Sequence, residues 1–149
     1  MNIISTQYTL EHKSLDIYLA GCSGNPHCIN CHNQETWDFN QGMYYKDVFN
    51  IIKNKIIDFD NMIDNIMIFG GEPLDQEIDK LIDLFLFLHS FNKQIWLFTR
   101  YEINNVSKNI KIYCHYVKTG RYIEELKCDD NIQYGIKLAT SNQKIHKIR

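Results

Sequence analysis

Three of the five cysteines, Cys22, Cys28 and Cys31, fall within ten residues, spaced C-x5-C-x2-C in the stretch Gly21-Cys22-Ser23-Gly24-Asn25-Pro26-His27-Cys28-Ile29-Asn30-Cys31-His32-Asn33. Thiols this close require a disulfide, a metal or a cluster. A disulfide framework goes with an even cysteine count and a secreted context. The opening MNIISTQYTL has no basic start followed by an apolar run, so no signal peptide is expected. A closed zinc site takes four ligands, and Cys114 and Cys128 lie far along the chain. His27 and His32 each adjoin a cysteine, and adjacent residues rarely both reach one metal. A [4Fe–4S] cluster usually takes four cysteines, so three leave one iron open for chemistry. Clustering in a Gly/Pro/Asn loop opposes the plainer reading of small buried residues. A cluster and a zinc site therefore stand as the two readings of the loop itself.

The 149 residues suffice for one domain with a substantial core. A net charge of −2 gives no basic field for nucleic acid or anionic lipid. No apolar run reaches the ~18 residues of a membrane span; the longest, Leu81 to His89, is broken by Asp83 and suits a buried helix. Free thiols without a secretion signal point to a reducing cytoplasm.

Hydrophobic periodicity orders the rest. Ile3, Ile4 and Tyr8 suggest a short edge strand. Leu15 to Ala20 alternates at period two and runs straight into Gly21-Cys22, so the cysteine loop hangs from the end of a strand. Ligands bind at such ends in α/β proteins. Val48, Ile52, Ile56, Phe59 and Ile63 recur at helical spacing and predict a helix over about residues 45–60. Ile66 to Phe69 reads as a buried strand. A second helix is expected from about Asp75, with Ile78, Leu81, Ile82 and Phe85 on one face. Gln94 to Thr99 reads as a strand, Tyr101 to Lys108 as a short helix, Ile110 to Val117 as a strand ended by Gly120, and Ile132 to Leu138 as a last strand. The tail from Ala139 is polar and basic. This alternation predicts an α/β fold of parallel βαβ units with a mostly parallel sheet. A complete eightfold barrel needs roughly 250 residues, so this chain supplies at most a partial barrel. Its open side would suit a large partner as substrate.

The second motif is Phe69-Gly70-Gly71-Glu72-Pro73. Two glycines after a buried strand let backbone approach a ligand closely. Glu72 sets a carboxylate at the strand end, able to pair with an ammonium group, and Pro73 stiffens the exit. Alone, a Gly-Gly turn before a helix is common; one strand after the cysteine loop it becomes specific.

Together these motifs resemble the radical S-adenosylmethionine (radical SAM) enzymes. The resemblance is strongest to the branch of activating proteins for the anaerobic (class III) ribonucleoside-triphosphate reductase. That branch carries the pattern of Cys31-His32-Asn33-Gln34-Glu35-Thr36-Trp37 and of Ile95-Trp96-Leu97-Phe98-Thr99-Arg100-Tyr101. Gly120-Arg121-Tyr122 and Ser141-Asn142-Gln143 match it further on, so the likeness covers about residues 15–149 in order. Three features differ. The family spacing is C-x3-C-x2-C, and the wider loop here can still close because closure depends weakly on length. The Gly-Pro-Gly-x-Arg stretch that usually precedes the first strand is absent from residues 8–14. Thr119 stands where the family has Asp.

The resemblance implies a partial βα barrel of the radical SAM type, one domain over residues 1–149. It implies a [4Fe–4S] cluster on Cys22, Cys28 and Cys31. The open iron would bind SAM, with Gly70, Gly71 and Glu72 lining the methionine amino group chiefly through backbone and Thr99 within reach. Reductive cleavage of SAM would yield methionine and a radical that takes the Cα hydrogen of a glycine on the reductase large subunit. An electron donor such as flavodoxin or ferredoxin is implied, and the cytoplasm as location.

Other residues take structural readings. Cys114 and Cys128 read as core or incidental thiols, His115 and Trp96 as structural, and His12, His89 and His146 as isolated. Tyr101 ends a strand on the ligand side, and Trp37 and Phe39 read as core or loop anchors. Lys144, Lys147 and Arg149 read as a solvated terminus. Competing functions are activation of another glycyl radical enzyme, radical SAM modification of a peptide, a non-catalytic zinc or Fe–S binding module, and an electron carrier.

Overall fold

The strand that feeds the cysteine loop is paired on both sides. The computed structural model describes residues 1–149, with Asn2–Thr9 as β1 and Ser14–Leu19 as β2. Met43–Tyr44 (β3) leads into the helix Tyr45–Asp58 (α1), followed by Asn65–Gly70 (β4), the helix Ile78–His89 (α2) and Gln94–Phe98 (β5). A short helix Lys108–Lys111 (α3) precedes Tyr116–Thr119 (β6). Ile132–Gln133 (β7) and Ile136–Lys137 (β8) form a hairpin, and Lys144–Lys147 is β9. Seven strands make one sheet in the order β3-β1-β2-β4-β5-β6-β9. β2, β4, β5 and β6 are parallel, while β1, β3 and β9 flank them in antiparallel pairings. The sheet is thus mixed around a parallel centre.

Period-two alternation sorts the strand residues onto two faces. In register, Ile17, Ile68, Leu97 and Val117 form one row, and Asp16, Met67, Trp96 and Tyr116 the adjacent row. The first row joins the main core with Val48, Ile52 and Ile56 of α1, Leu81, Leu84, Phe85 and Leu88 of α2, and Ile110 of α3. Fully burying a side chain such as Phe85 contributes about 1.5–3 kcal/mol. All three helices therefore cover one face. The other face is covered by the C-terminal hairpin, where Met67 and Trp96 pack against Ile136, Leu138 and Ile145.

Several elements differ from the sequence expectation. Phe59 and Ile63 lie beyond the end of α1: Phe59 caps it, 46% exposed, and Ile63 is buried on the extended approach to β4. Pro73–Asp75 is a 3-10 turn, so α2 begins only at Ile78, which is itself exposed, and Leu84 and Leu88 complete the buried face. The stretch 110–117 divides. Ile110 packs from α3 onto the core, and only Tyr116 and Val117 extend into β6. Ile132 to Leu138 is no single strand: Tyr134 and Gly135 both take positive φ and fold it into a two-residue hairpin turn. Lys144, Lys147 and Arg149 are exposed, as expected of a solvated terminus, but the backbone that carries them is ordered into the sheet. Lys144–Lys147 pairs with β6 and buries Ile145. No helix is long and apolar enough to cross a membrane.

Candidate functional site

The cysteine loop is closed at its base by the residues that follow it. The Gly21 N–H donates to Thr36 O at 2.7 Å and the Cys22 N–H to Trp37 O at 3.0 Å. Thr36 and Trp37 thus return the chain to the end of β2, and the three cysteines sit on the excursion between. Trp37 stacks on the His27 ring with centroids 3.9 Å apart, and His27 Nε2 lies 2.9 Å from Cys22 O. His27 is therefore a loop brace, and His32 packs against the Tyr122 ring instead. All three thiols are free and half-buried. Burial raises the Cys22 thiol, against the Gly24 N–H and the Arg100 charge, which pull it down.

The Gly-Gly-Glu segment lies directly beneath this loop. The Gly71 N–H donates to Leu19 O at 3.0 Å and the Glu72 N–H to Gly21 O at 2.8 Å, extending the β2–β4 pairing past the strand ends. A Cβ at Gly71 would collide with the Gly21 and Thr36 carbonyls, so only glycine allows this approach. The Gly71 carbonyl itself accepts no hydrogen bond from the chain.

The Glu72 carboxylate, 1% exposed, turns inward. Its Oε1 accepts the Thr99 hydroxyl at 2.6 Å and the Leu74 N–H at 3.0 Å, and its Oε2 accepts the Arg100 N–H at 2.8 Å. Desolvation pushes its pKa up, opposed by these three donors. Glu72 ties the end of β4 to the end of β5, and its Oε2, with a single donor, keeps one acceptor position. Asp75 extends the network, accepting Tyr101 Oη–H at 2.6 Å, the Ser23 N–H at 2.7 Å and Arg100 Nη2 at 3.3 Å. Burial pushes Asp75 up, but the Tyr101 and Ser23 donors and the Arg100 charge more than offset it and hold its carboxyl low. Asp75 thereby links the cysteine loop to the β5 exit.

Cys22, Cys28, Cys31, Gly70, Gly71, Glu72 and Thr99 all line one cavity of about 380 Å³ on the sheet face opposite the helices. Phe69 and Phe98, tilted against each other with ring centroids 4.1 Å apart, form an aromatic wall, and Ile136, Leu138 and Gln143 close the hairpin side. His, Cys, Asp and Glu side chains nowhere converge on a point that one metal ion could fill. A [4Fe–4S] cube instead spreads three thiolates over three separate irons, and three free thiols facing one cavity fit that donor set.

Sequence reasoning did not give the part played by four residues, Lys118, Asp75, Gln143 and His12. Lys118 lines the cavity from β6; the signal was a lone cation inside an apolar strand. Asp75 read only as a helix start. Gln143 is the hub of the hairpin: its Oε1 accepts the Ala139 N–H at 3.0 Å and its carbonyl the Asn131 amide at 3.0 Å. His12, read as isolated, also lines the cavity. Tyr101 bonds Asp75 at the network's edge. Thr119 turns toward β9, its hydroxyl 3.0 Å from His146 Nε2. Cys114 is buried in the main core and Cys128 sits half-buried apart from the cavity. His115 Nδ1 accepts the Ile95 N–H at 3.0 Å, and Trp96 stacks on Tyr116 at 3.9 Å, both structural as expected.

Residues 13–146 match the family model described as "4Fe-4S single cluster domain". The chain is also 24% identical over 146 residues to the anaerobic ribonucleoside-triphosphate reductase-activating protein of Haemophilus influenzae (strain ATCC 51907 / DSM 11121 / KW20 / Rd). That alignment covers 93% of this chain and 90% of the relative. With its free cysteine loop on the end of a central parallel strand, and a match over nearly its whole length, this chain belongs to the 4Fe-4S single cluster domain family.

Proposed function

We propose that this chain is a radical SAM activase that generates a glycyl radical on the anaerobic ribonucleoside-triphosphate reductase. The observation that carries this reading is a single cavity lined by Cys22, Cys28 and Cys31 together with Gly70, Gly71 and Thr99. Cys22, Cys28 and Cys31 hold the [4Fe–4S] cluster. Gly70 and Gly71 present backbone to the SAM amino group, and Glu72 fixes the strand ends around it. When bound, cluster and SAM supply the reductive cleavage and the radical, chemistry that belongs to the cofactors. The aromatic wall and the hairpin keep water from the reacting centre. Helices on one face only, with a hollow on the other, support a partial barrel of the radical SAM type formed by residues 1–149. The named relative supports the reductase large subunit as partner; a flavodoxin or ferredoxin donor and a cytoplasmic location follow from the same reading.

The test is anaerobic reconstitution with iron and sulfide, then reduction and addition of SAM. The expected result is a brown protein that releases 5′-deoxyadenosine and loses that activity in Cys28→Ala. With the reductase present, a glycyl radical signal appears by electron paramagnetic resonance. A colourless protein that holds zinc and leaves SAM intact would overturn the reading in favour of a binding module.

A further inference from the structure

Arg100 follows Thr99 at the exit of β5 and lies against the cysteine loop. A Cβ at Gly24, two residues after Cys22, would stand 3.2 Å from its Nη1. The guanidinium is held in place by its other neighbours. Nη2 donates to Asp75 Oδ2 at 3.3 Å and to Tyr101 Oη at 2.9 Å, and the group sits 4.7 Å from the centre of the Tyr101 ring. Asp75 in turn accepts the Ser23 N–H, so one carboxylate ties Arg100 and the loop together.

One donor of this fixed group is left over. Arg100 Nε is buried and has no hydrogen-bond partner; Glu72 Oε2 stands 3.9 Å away, beyond hydrogen-bond reach. A buried donor without an acceptor is costly, so the site suits an acceptor that arrives with a ligand. The charge is permanent, because a guanidinium does not deprotonate in proteins. It already acts on the loop: burial raises the Cys22 thiol, and Arg100 is among the groups that pull it back. Glu72 and Asp75 set two carboxylates beside the same loop, and Arg100 faces both, at 3.9 and 3.3 Å.

A cluster on three thiolates gains one negative charge when it takes an electron. Cationic groups and N–H donors beside it favour that reduced form, since charge and hydrogen bonds to sulfur set the potential. We propose that Arg100 raises the reduction potential of the cluster held by Cys22, Cys28 and Cys31, its guanidinium charge and unpaired Nε–H acting from the Cys22 side of the loop. This rests on the reading that the loop holds a [4Fe–4S] cluster. The electron comes from a low-potential one-electron donor of the flavodoxin or ferredoxin class. Arg100 is no cluster ligand in this assignment; it sets the field in which the cluster is reduced, and Asp75 orients it.

A mediated redox titration of the reconstituted protein without SAM tests this, with the reduced cluster followed by electron paramagnetic resonance. Arg100→Met, Arg100→Lys and Asp75→Asn are compared with wild type, with circular dichroism as the check on folding. At the wild-type midpoint the ratio of reduced to oxidised cluster should fall at least tenfold in Arg100→Met, which is about 59 mV for one electron. Arg100→Lys, which keeps the charge and loses the Nε–H, should fall less. Asp75→Asn removes an anion and should shift the midpoint the opposite way. An unchanged midpoint in Arg100→Met overturns the proposal and leaves the cluster reading intact, even if SAM binding weakens. A fall of the midpoint in Asp75→Asn also overturns it, because disturbance of the loop rather than charge would then set the potential. Wild-type protein that takes up no cluster overturns the cluster reading, and the proposal with it.

Discussion

Glu72 Oε1 accepts the Thr99 hydroxyl at 2.6 Å across the C-terminal ends of two adjacent parallel strands, β4 and β5. The contact makes the Glu72 carboxylate a cross-strand tie. It also fixes the rim from which the cavity opens, since both residues line it.

Replacing Glu72 by Gln sets an amide N–H₂ against donors from Thr99, Leu74 and Arg100. At least one buried donor then loses its acceptor, a cost of about 1–3 kcal/mol. Urea unfolding of the cluster-free protein should show that loss for Glu72→Gln and about 1 kcal/mol for Thr99→Val. Wild-type stability in Glu72→Gln would mean that the tie carries no weight.

Asp75 is the one side chain that holds the Ser23 N–H of the cysteine loop. Asp75→Ala frees that amide and leaves Arg100 without its 3.3 Å partner. Hydrogen exchange at Ser23 should accelerate, while amides in β4 keep their protection. Unaltered exchange at Ser23 would show that the loop is held by the Gly21–Thr36 and Cys22–Trp37 bonds alone.

The Lys118 ammonium is depressed to about 8 by burial. Between that value and the ordinary lysine value of about 10.4, the unfolded chain binds the extra proton, so this group makes stability rise with pH across that window. Lys118→Met removes the penalty. In the ligand-free protein it should raise the urea midpoint at pH 7, and the gain should shrink as the pH climbs through the window. A variant less stable than wild type at pH 7 would refute this.

Thiol chemistry separates the cysteines. Cys114 is buried, its thiol is pushed up to about 12 by desolvation, and its Sγ–H donates to Ile110 O at 3.4 Å. Cys22, Cys28, Cys31 and Cys128 are half-buried. A chromogenic disulfide reagent should therefore titrate four thiols in the native cluster-free protein and the fifth only after unfolding. Prompt reaction of all five would contradict the packing around Cys114.

Gly71→Ala should prevent folding or lower stability sharply, because its Cβ would meet two backbone carbonyls that cannot move independently. Soluble protein with a native circular dichroism spectrum would count against that packing.

Local pattern carried much of this protein in its sequence. Alternation in Leu15–Leu19 and Ile66–Phe69 and the spacing of Val48, Ile52 and Ile56 fix which faces are apolar, so the central strands and α1 were legible there. The cysteine loop was legible because three thiols crowded among turn formers pack no core and suit a metal or cluster. Tertiary structure decided what depends on partners distant in the chain. The basic stretch Lys144–Lys147 becomes a strand because β6 offers it an unpaired edge, and Ile110 joins a helix because the core takes it from that side. Glu72 turns inward because Thr99 and the Arg100 amide arrive from the next strand. Lys118 comes to line the cavity because pairing with β5 sets it beside Phe98. Periodicity is written in neighbouring residues, whereas a side chain's partner is set by which strand end lies beside it, and only the assembled sheet determines that.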